Sequence, residues 1–355
     1  MRIMVCYRAF GGVAGGVQRM SSLLINEFQK RGNEVCLLTL DPQDATSFFA
    51  LDEGIDWFKI SVGDYQRKAT FSEKIERAKA IRQKVKEFKP DLILCFQDGM
   101  YFLMRAFATG MGIPIILAER NAPHRYDHLK VGKYQNIIFQ TYRFADAITI
   151  QCESFRDRYP KYLRDKIITI PNPVFRPQQD EKNNYENIRK YDKVLLSVGR
   201  LGYQKNFPPL IQAFAQIADE CPEWGLVIVG EGEDRIQLEG EISRLGLSDR
   251  ISLPGTIKDM GPVYNSVDLF CLPSRWEGFP NALAEALIRG VPAVGYKKSA
   301  GVCDLILDNE NGILAEGNGD AASLAASLKR VMLDKTFRET LAQNASDTMM
   351  KYDPS

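Results

Sequence analysis

The chain has 355 residues, 45% of them hydrophobic and 26% charged, with a formal net charge of +1, a composition that excludes disordered and collagenous classes. At this length two domains of ordinary size are expected, each able to bury a full core. The longest apolar runs, such as Ile113 to Ala118, are strand-length and fall far short of the roughly 18 residues of a membrane span.

The near-neutral charge hides an asymmetry: residues 1–175 hold 26 Lys+Arg against 19 Asp+Glu, and residues 176–355 hold 20 against 26. The densest basic part, Arg67 to Pro90, has nine basic and three acidic residues. It reads either as a solvated helix face or as a cationic surface for anionic lipid headgroups. Basic and aromatic residues are not interleaved, so nucleic acid is not an expected partner. The N-terminus, MRIMVCYRAF, has no apolar signal region, which predicts a cytoplasmic protein. The seven cysteines are spread out and never form CxxC, which fits reduced thiols and argues against a disulfide framework or zinc ribbon.

In chain order the expected strands are Ile3 to Cys6, Glu34 to Leu40, Asp91 to Phe96, Pro114 to Ala118, Ala147 to Gln151 and Lys166 to Ile170. They continue with Lys193 to Val198, Gly225 to Val229, Ile251 to Leu253, Leu269 to Leu272 and Pro292 to Gly295. Each run meets a glycine turn and then a helical pattern, which means parallel βαβ units. A stretch rich in Pro, Asn, Gln and charge, Pro171 to Asp192, separates the two series and reads as a hinge. The expectation is α/β, with two Rossmann-like doubly wound domains, 1–175 and 176–355, facing a cleft.

Ligands of open parallel sheets bind beyond the carboxyl ends of strands, and four motifs fall there. In FGGVAGGVQRM, Gly15 and Gly16 open a helix and let a ligand approach the backbone, unless this is a plain tight turn. In SVGRLGYQKNF, Gly199 ends a strand; Arg200 offers a planar fork for phosphate and Lys205 a mobile point charge. In IVGEGEDRIQLE, Gly230 and Gly232 mark another strand-to-helix corner, as supporting evidence only. The fourth, PSRWEGFPNALAE, turns at Gly278 and Pro280 and starts a helix near Asn281, so free backbone N–H groups are expected to hold phosphate. Glu277 precedes that helix and Glu285 lies one turn beyond Asn281. The two carboxylates thus bracket a phosphate site, one suited to sugar hydroxyls and the other to a ribose diol.

The three signatures Gly15-Gly16, Gly199 to Asn206 and EGFPNALAE, in this order, make the chain resemble glycosyltransferase family 4 (glycosyl transferases group 1) over nearly its whole length. The resemblance implies the GT-B architecture, retaining chemistry and a nucleotide-sugar donor, with an N-terminal acceptor domain and a C-terminal donor domain. It implies that Arg200 and Lys205 hold the donor diphosphate, that Glu285 holds the ribose, and that Glu277 contacts the transferred sugar. The turn Phe279, Pro280, Asn281 and Ala282 would help bind sugar and phosphate.

Two places depart from the family pattern. Many relatives carry a histidine after the strand matching Pro114 to Ala118, where this chain has Arg120 in AERNAPHRYDH; Arg120, Asn121 or His124 is left to contact the donor sugar. His124 and His128 with Asp127 lack a third metal ligand in sequence, and an ordinary loop is the better reading. Relatives usually end with a helix crossing back to the first domain, whereas this chain stops at KYDPS, so that helix is expected to be short, absent or removed.

The resulting expectation is a metal-independent enzyme without a cofactor. It would move a sugar, from UDP-hexose or UDP-N-acetylhexosamine, to a lipid-linked oligosaccharide or polysaccharide precursor at the inner face of the cytoplasmic membrane, where the anionic surface attracts the basic first domain. A nucleotide-sugar 2-epimerase of the same architecture needs additional acid/base groups that two histidines supply poorly. A non-catalytic nucleotide-sugar-binding protein is the third reading.

Overall fold

The computed structural model describes residues 1–12, 15–64, 67–177 and 190–354, and its strands form two sheets in which every pairing is parallel. The first contains β1 (Arg2–Tyr7), β2 (Glu34–Thr39), β3 (Asp56–Lys59), β4 (Leu92–Phe96), β5 (Ile115–Ala118), β6 (Ala147–Ile150) and β7 (Ile167–Thr169). Its order is β3-β2-β1-β4-β5-β6-β7. The second contains β8 (Lys193–Val198), β9 (Trp224–Val229), β10 (Ile251–Gly255), β11 (Leu269–Leu272), β12 (Ala293–Tyr296) and β13 (Gly312–Ala315), in the order β10-β9-β8-β11-β12-β13. By contact the chain divides into two units, Met1–Ile170 and Pro171–Ser355.

All eleven expected runs hold strands, and the two that sequence missed, β3 and β13, lie at sheet edges. The long linker expected over Pro171 to Asp192 lies outside the described residues at 178–189.

Parallel strands are covered on both faces, so they read as near-continuous apolar runs. Accordingly β1 is buried from Ile3 to Tyr7 and β9 along its whole length. Each sheet starts at its centre and runs to one edge before crossing back, which places the reversal between β1 and β4 and between β8 and β11. At such a reversal the loops diverge and leave a crevice beyond the strand ends.

Helix Phe207–Ile217 shows how the second core is closed. Phe207, Leu210, Ile211, Phe214 and Ile217 fall on one stripe and are buried. Helix Ala321–Leu333 meets the same core with Leu324, Leu328 and Val331. Full burial of each such side chain contributes about 1.5–3 kcal/mol. In the first unit, helix Phe71–Phe88 starts in a capping box of Thr70 and Glu73 and buries only Arg77, Ile81, Val85 and Phe88, the narrow stripe of a surface helix. Among the described residues no helix is long and apolar enough to cross a membrane.

Candidate functional site

At the strand ends of the second unit a polar arrangement is built by loops that only glycine permits to pass so closely. A Cβ at Gly230, whose φ is +147°, would lie 1.9 Å from the Gly199 carbonyl oxygen, and one at Gly232 would lie 2.1 Å from that of Leu201. Gly199 itself leaves room for the Lys205 stem, since a Cβ there would sit 2.6 Å from Lys205 Cε. Asn206 follows in the left-handed region at φ 57° and donates through Nδ2 to the Pro273 carbonyl at 3.2 Å. The turn directs Lys205 towards the loop after β11.

There Lys205 Nζ donates to Glu277 Oε1 at 2.7 Å, and Ser274 Oγ donates to the same oxygen at 2.6 Å. No described group bonds Glu277 Oε2. The loop is fastened on both sides: Arg275 N donates to Gln204 O at 2.8 Å, Gln204 Nε2 to Trp276 O at 2.9 Å, and Glu277 N to Ala300 O at 2.7 Å. The Glu277 side chain is only 9% exposed and that of Lys205 19%, so the pair is partly desolvated and its interaction is stronger than that of a surface pair. Chemically it presents one carboxylate oxygen for a hydroxyl donor beside a cation suited to an anionic leaving group.

Helix Asn281–Leu287 follows Pro280. The Asn281 amide, expected to be free for phosphate, instead donates to the Phe279 carbonyl at 2.9 Å, and the first intrahelical bond runs from Ala284 N to Pro280 O. The first-turn amides without an intrahelical acceptor are therefore those of Ala282 and Leu283. The Asn281 side chain accepts from Asn172 Nδ2 at 2.7 Å. Phe279 is buried with its ring edge-on to Tyr352, 5.4 Å between centroids, so the ring is structural. One turn along, Glu285 Oε2 accepts from the Tyr264 hydroxyl at 3.1 Å, and the Arg289 guanidinium lies 5.7 Å from the centre of that tyrosine ring.

Of the residues singled out from sequence, Gly199, Gly230, Lys205 and Glu277 are brought together. Arg200 is not placed with Lys205 on one carboxylate: its side chain is 77% exposed and bonds Glu233 at 3.0 Å. Gly15, Gly16 and Arg120 belong to the first unit. Gly15 is the N-cap of helix Gly16–Lys30, in extended backbone and without a side-chain cap; Val13 and Ala14 of that motif lie outside the described residues. Arg120 follows β5 with its guanidinium 5.5 Å from the centre of the Phe96 ring, and burial lowers its proton affinity.

Sequence reasoning missed Ser274, although it stands three residues before Glu277 in the quoted motif, and Tyr264. It also missed a buried network after β4 and β5. Arg125 donates to Glu119 at 2.9 and 3.2 Å and to Asp98 at 2.6 Å, while the hydroxyls of Tyr126 and Tyr142 close the group. Burial pushes the Glu119 carboxyl above its usual range despite the guanidinium. Asp127, weighed with His124 and His128, is held by both oxygens on Arg158 at 2.6 Å, and among the described residues no three His, Cys, Asp or Glu cluster as metal ligands.

Residues 178–348 match the family model Glycosyl transferases group 1, and residues 14–175 match Glycosyltransferase Family 4. An uncharacterized glycosyltransferase of Haemophilus influenzae is 30% identical across 86% of this chain and 84% of its own. The chain belongs to glycosyltransferase family 4. A second relative of this glycosyltransferase, from Campylobacter jejuni, is 26% identical across 96% of this chain and 92% of its own. It is named as an α-1,4-N-acetyl-D-galactosaminyltransferase acting on a diNAcBac-PP-undecaprenol-linked GalNAc disaccharide. Among solved structures, sucrose-phosphate synthase from Thermosynechococcus elongatus superposes with a TM-score of 0.84 at 18% identity, covering 99% of this chain and 94% of its own. Anabaena Alr3699/HepE with UDP-glucose gives 0.79 at 18% identity, covering 99% and 96%. At that identity the likeness fixes the fold, the GT-B architecture.

Proposed function

We propose that this glycosyltransferase moves a hexose or N-acetylhexosamine from a UDP-sugar to a hydroxyl of a lipid-linked oligosaccharide or polysaccharide precursor at the inner membrane surface, with retention of configuration and without a metal. The observation that carries the reading is the Lys205–Glu277 pair at 2.7 Å. In this reading Glu277 Oε2 accepts from a hydroxyl of the transferred sugar. Lys205, with Arg200 and the amides of Ala282 and Leu283, stabilises the charge that builds on the departing diphosphate, the electrostatic effect that often dominates catalysis. Glu285 accepts from the ribose diol. The acceptor oxygen forms its bond to the anomeric carbon as the carbon–phosphate oxygen bond breaks on the same face, and the leaving phosphate takes the acceptor proton. The first unit is assigned to the acceptor side.

Support for the donor class comes from the UDP-glucose complex of the Anabaena protein, and for the acceptor class from the name of the Campylobacter relative. The test is release of free UDP from a panel of UDP-sugars, with and without a polyprenyl-diphosphate-linked glycan and with EDTA throughout. Acceptor-dependent release that survives EDTA and yields a product with the donor's anomeric configuration is the expected result. Dependence on a divalent ion at saturating substrate, or an inverted product, would overturn the corresponding part.

A further inference from the structure

Apolar side chains belong inside unless something else covers them, and the first unit exposes five of them within sixteen residues, Leu129 to Phe144. On helix Gln135–Tyr142, Phe139 and Tyr142 face the core. On the helix's other side Ile137 is 65% exposed, and Tyr134 just before the helix and Phe144 just after it are 50% and 60% exposed. Ile137 thus faces away from Phe139 and Tyr142, and the other two flank the ends of the helix. Leu129 and Val131, on the turn that leads into the helix, are exposed as well.

Within the segment itself the charge has one sign. From His128 to Ala145 the sequence contains Lys130, Lys133 and Arg143 and no carboxylate. Lys133 Nζ lies 4.9 Å from the centre of the Tyr134 ring, and Arg105 lies 5.9 Å from that of Phe144. Neither Lys130 nor Lys133 pairs with a carboxylate among the described residues. An exposed apolar segment that also carries tyrosine and lysines is the arrangement that rests in an anionic lipid interface, with the rings at headgroup depth.

The basic helix Phe71–Phe88 is a poorer match. Arg77 donates twice to the Val62 carbonyl, Lys84 bonds Asp56 at 2.6 Å and Arg82 bonds the Phe107 carbonyl at 2.8 Å. Half of its six cations are thus committed within the unit, and Glu76 and Glu87 lie exposed beside the rest.

We infer that the segment from Leu129 to Phe144 is a docking surface for an anionic membrane, seated by Tyr134, Ile137 and Phe144 and held by Lys130 and Lys133. The inference rests on the reading that the acceptor is lipid-linked, and names where the enzyme meets that lipid.

The test is cosedimentation of the full chain with vesicles of equal parts phosphatidylglycerol and phosphatidylcholine, and with phosphatidylcholine alone. Lys130→Glu with Lys133→Glu, and separately Ile137→Ser with Phe144→Ser, should each weaken binding to the anionic vesicles about tenfold. Lys79→Glu with Lys86→Glu should change it little. UDP affinity and melting temperature, unchanged in all three, show that the fold is intact. Wild-type protein that ignores anionic vesicles, or patch variants that bind them as wild type does, overturns the inference. So does a patch variant whose only change is from dimer to monomer in sedimentation, since a second copy would then cover the segment. Vesicle binding is read without acceptor, so failure to use a lipid-linked glycan while vesicle binding persists counts against the proposed acceptor alone.

Discussion

Lys205 and Glu277 are joined at 2.7 Å although 72 positions separate them, because β8 and β11, which their loops follow, are neighbours in the sheet. Removing the cation takes charge from the leaving-group side and leaves Glu277 with Ser274 as its one remaining donor. Lys205→Met is therefore expected to lower kcat/KM by about 10²–10³, or about 2.7–4 kcal/mol. Glu277→Gln should lower turnover while leaving UDP affinity within about twofold, because its role is toward the sugar. Arg200→Ala, at an exposed site on Glu233, should cost less than Lys205→Met. Steady-state UDP release measures all three, and full turnover in Lys205→Met would sink the assignment.

Glu285 is expected to act on the nucleotide, which is present in donor and product alike. Glu285→Ala should weaken UDP and UDP-sugar binding by the same factor. Tyr264→Phe removes the donor that steadies Oε2 and should cost about 1 kcal/mol. Calorimetric titration with UDP decides this: equal affinity in wild type and Glu285→Ala is incompatible with the role.

Two glycines of the second unit should respond oppositely to alanine. Gly230 has φ +147° and no room for a Cβ beside the Gly199 carbonyl, so Gly230→Ala should destabilise by more than about 2 kcal/mol. Gly240 sits inside helix Arg235–Arg244 with nothing within 4 Å of the place an added methyl would take. There the substitution should stabilise by about 0.5–1 kcal/mol. Urea unfolding of the two variants reads the difference directly.

The network around Arg125 gives a pH-dependent prediction. Arg125→Met strands Glu119 and Asp98 without their cation, at a cost of about 3–5 kcal/mol near neutral pH. Burial already holds the Glu119 carboxyl above its usual range, and loss of the guanidinium raises it further. A carboxyl raised in the folded state favours folding at pH below its unfolded value, and that contribution is lost as pH rises through the folded one. The melting deficit of Arg125→Met should therefore be smaller at about pH 5 than at about pH 8. A deficit that is constant across this range would show that Glu119 does not change its protonation.

Most of the scaffold was legible because parallel strands buried on both faces announce themselves as aliphatic runs. Strand β3, Asp-Trp-Phe-Lys, did not, since it is an edge strand of four residues whose Trp57 leans on Thr39 and Phe10 and whose ends are charged. Strand β13 is equally short and opens on a glycine. The site was legible as residues and not as partners. Lys205 and Glu277 were each given a ligand group, and nothing local in either motif says that they bond each other; that follows from strand order. The Asn281 amide was read as free because a helix start leaves amides free in general, whereas the Gly-Phe-Pro corner turns that one back onto Phe279. Glu119, Arg125 and Asp98 were not singled out, since their pairing joins the segments after β4 and β5, which are apart in sequence.

Helix Phe207–Ile217 finds its packing partner, Ala321–Leu333, only after five strands have been made. During synthesis the first unit has every strand of its sheet in hand once β7 leaves the ribosome. The second unit by contrast must keep the stripe of Leu210, Phe214 and Ile217 open until its last helices emerge. A nascent chain arrested after β13 thus carries one finished unit tethered to an uncovered apolar stripe. Such a product is a client for chaperones and a seed for aggregation rather than a weakened enzyme, so nonsense mutations late in the gene should act as complete losses.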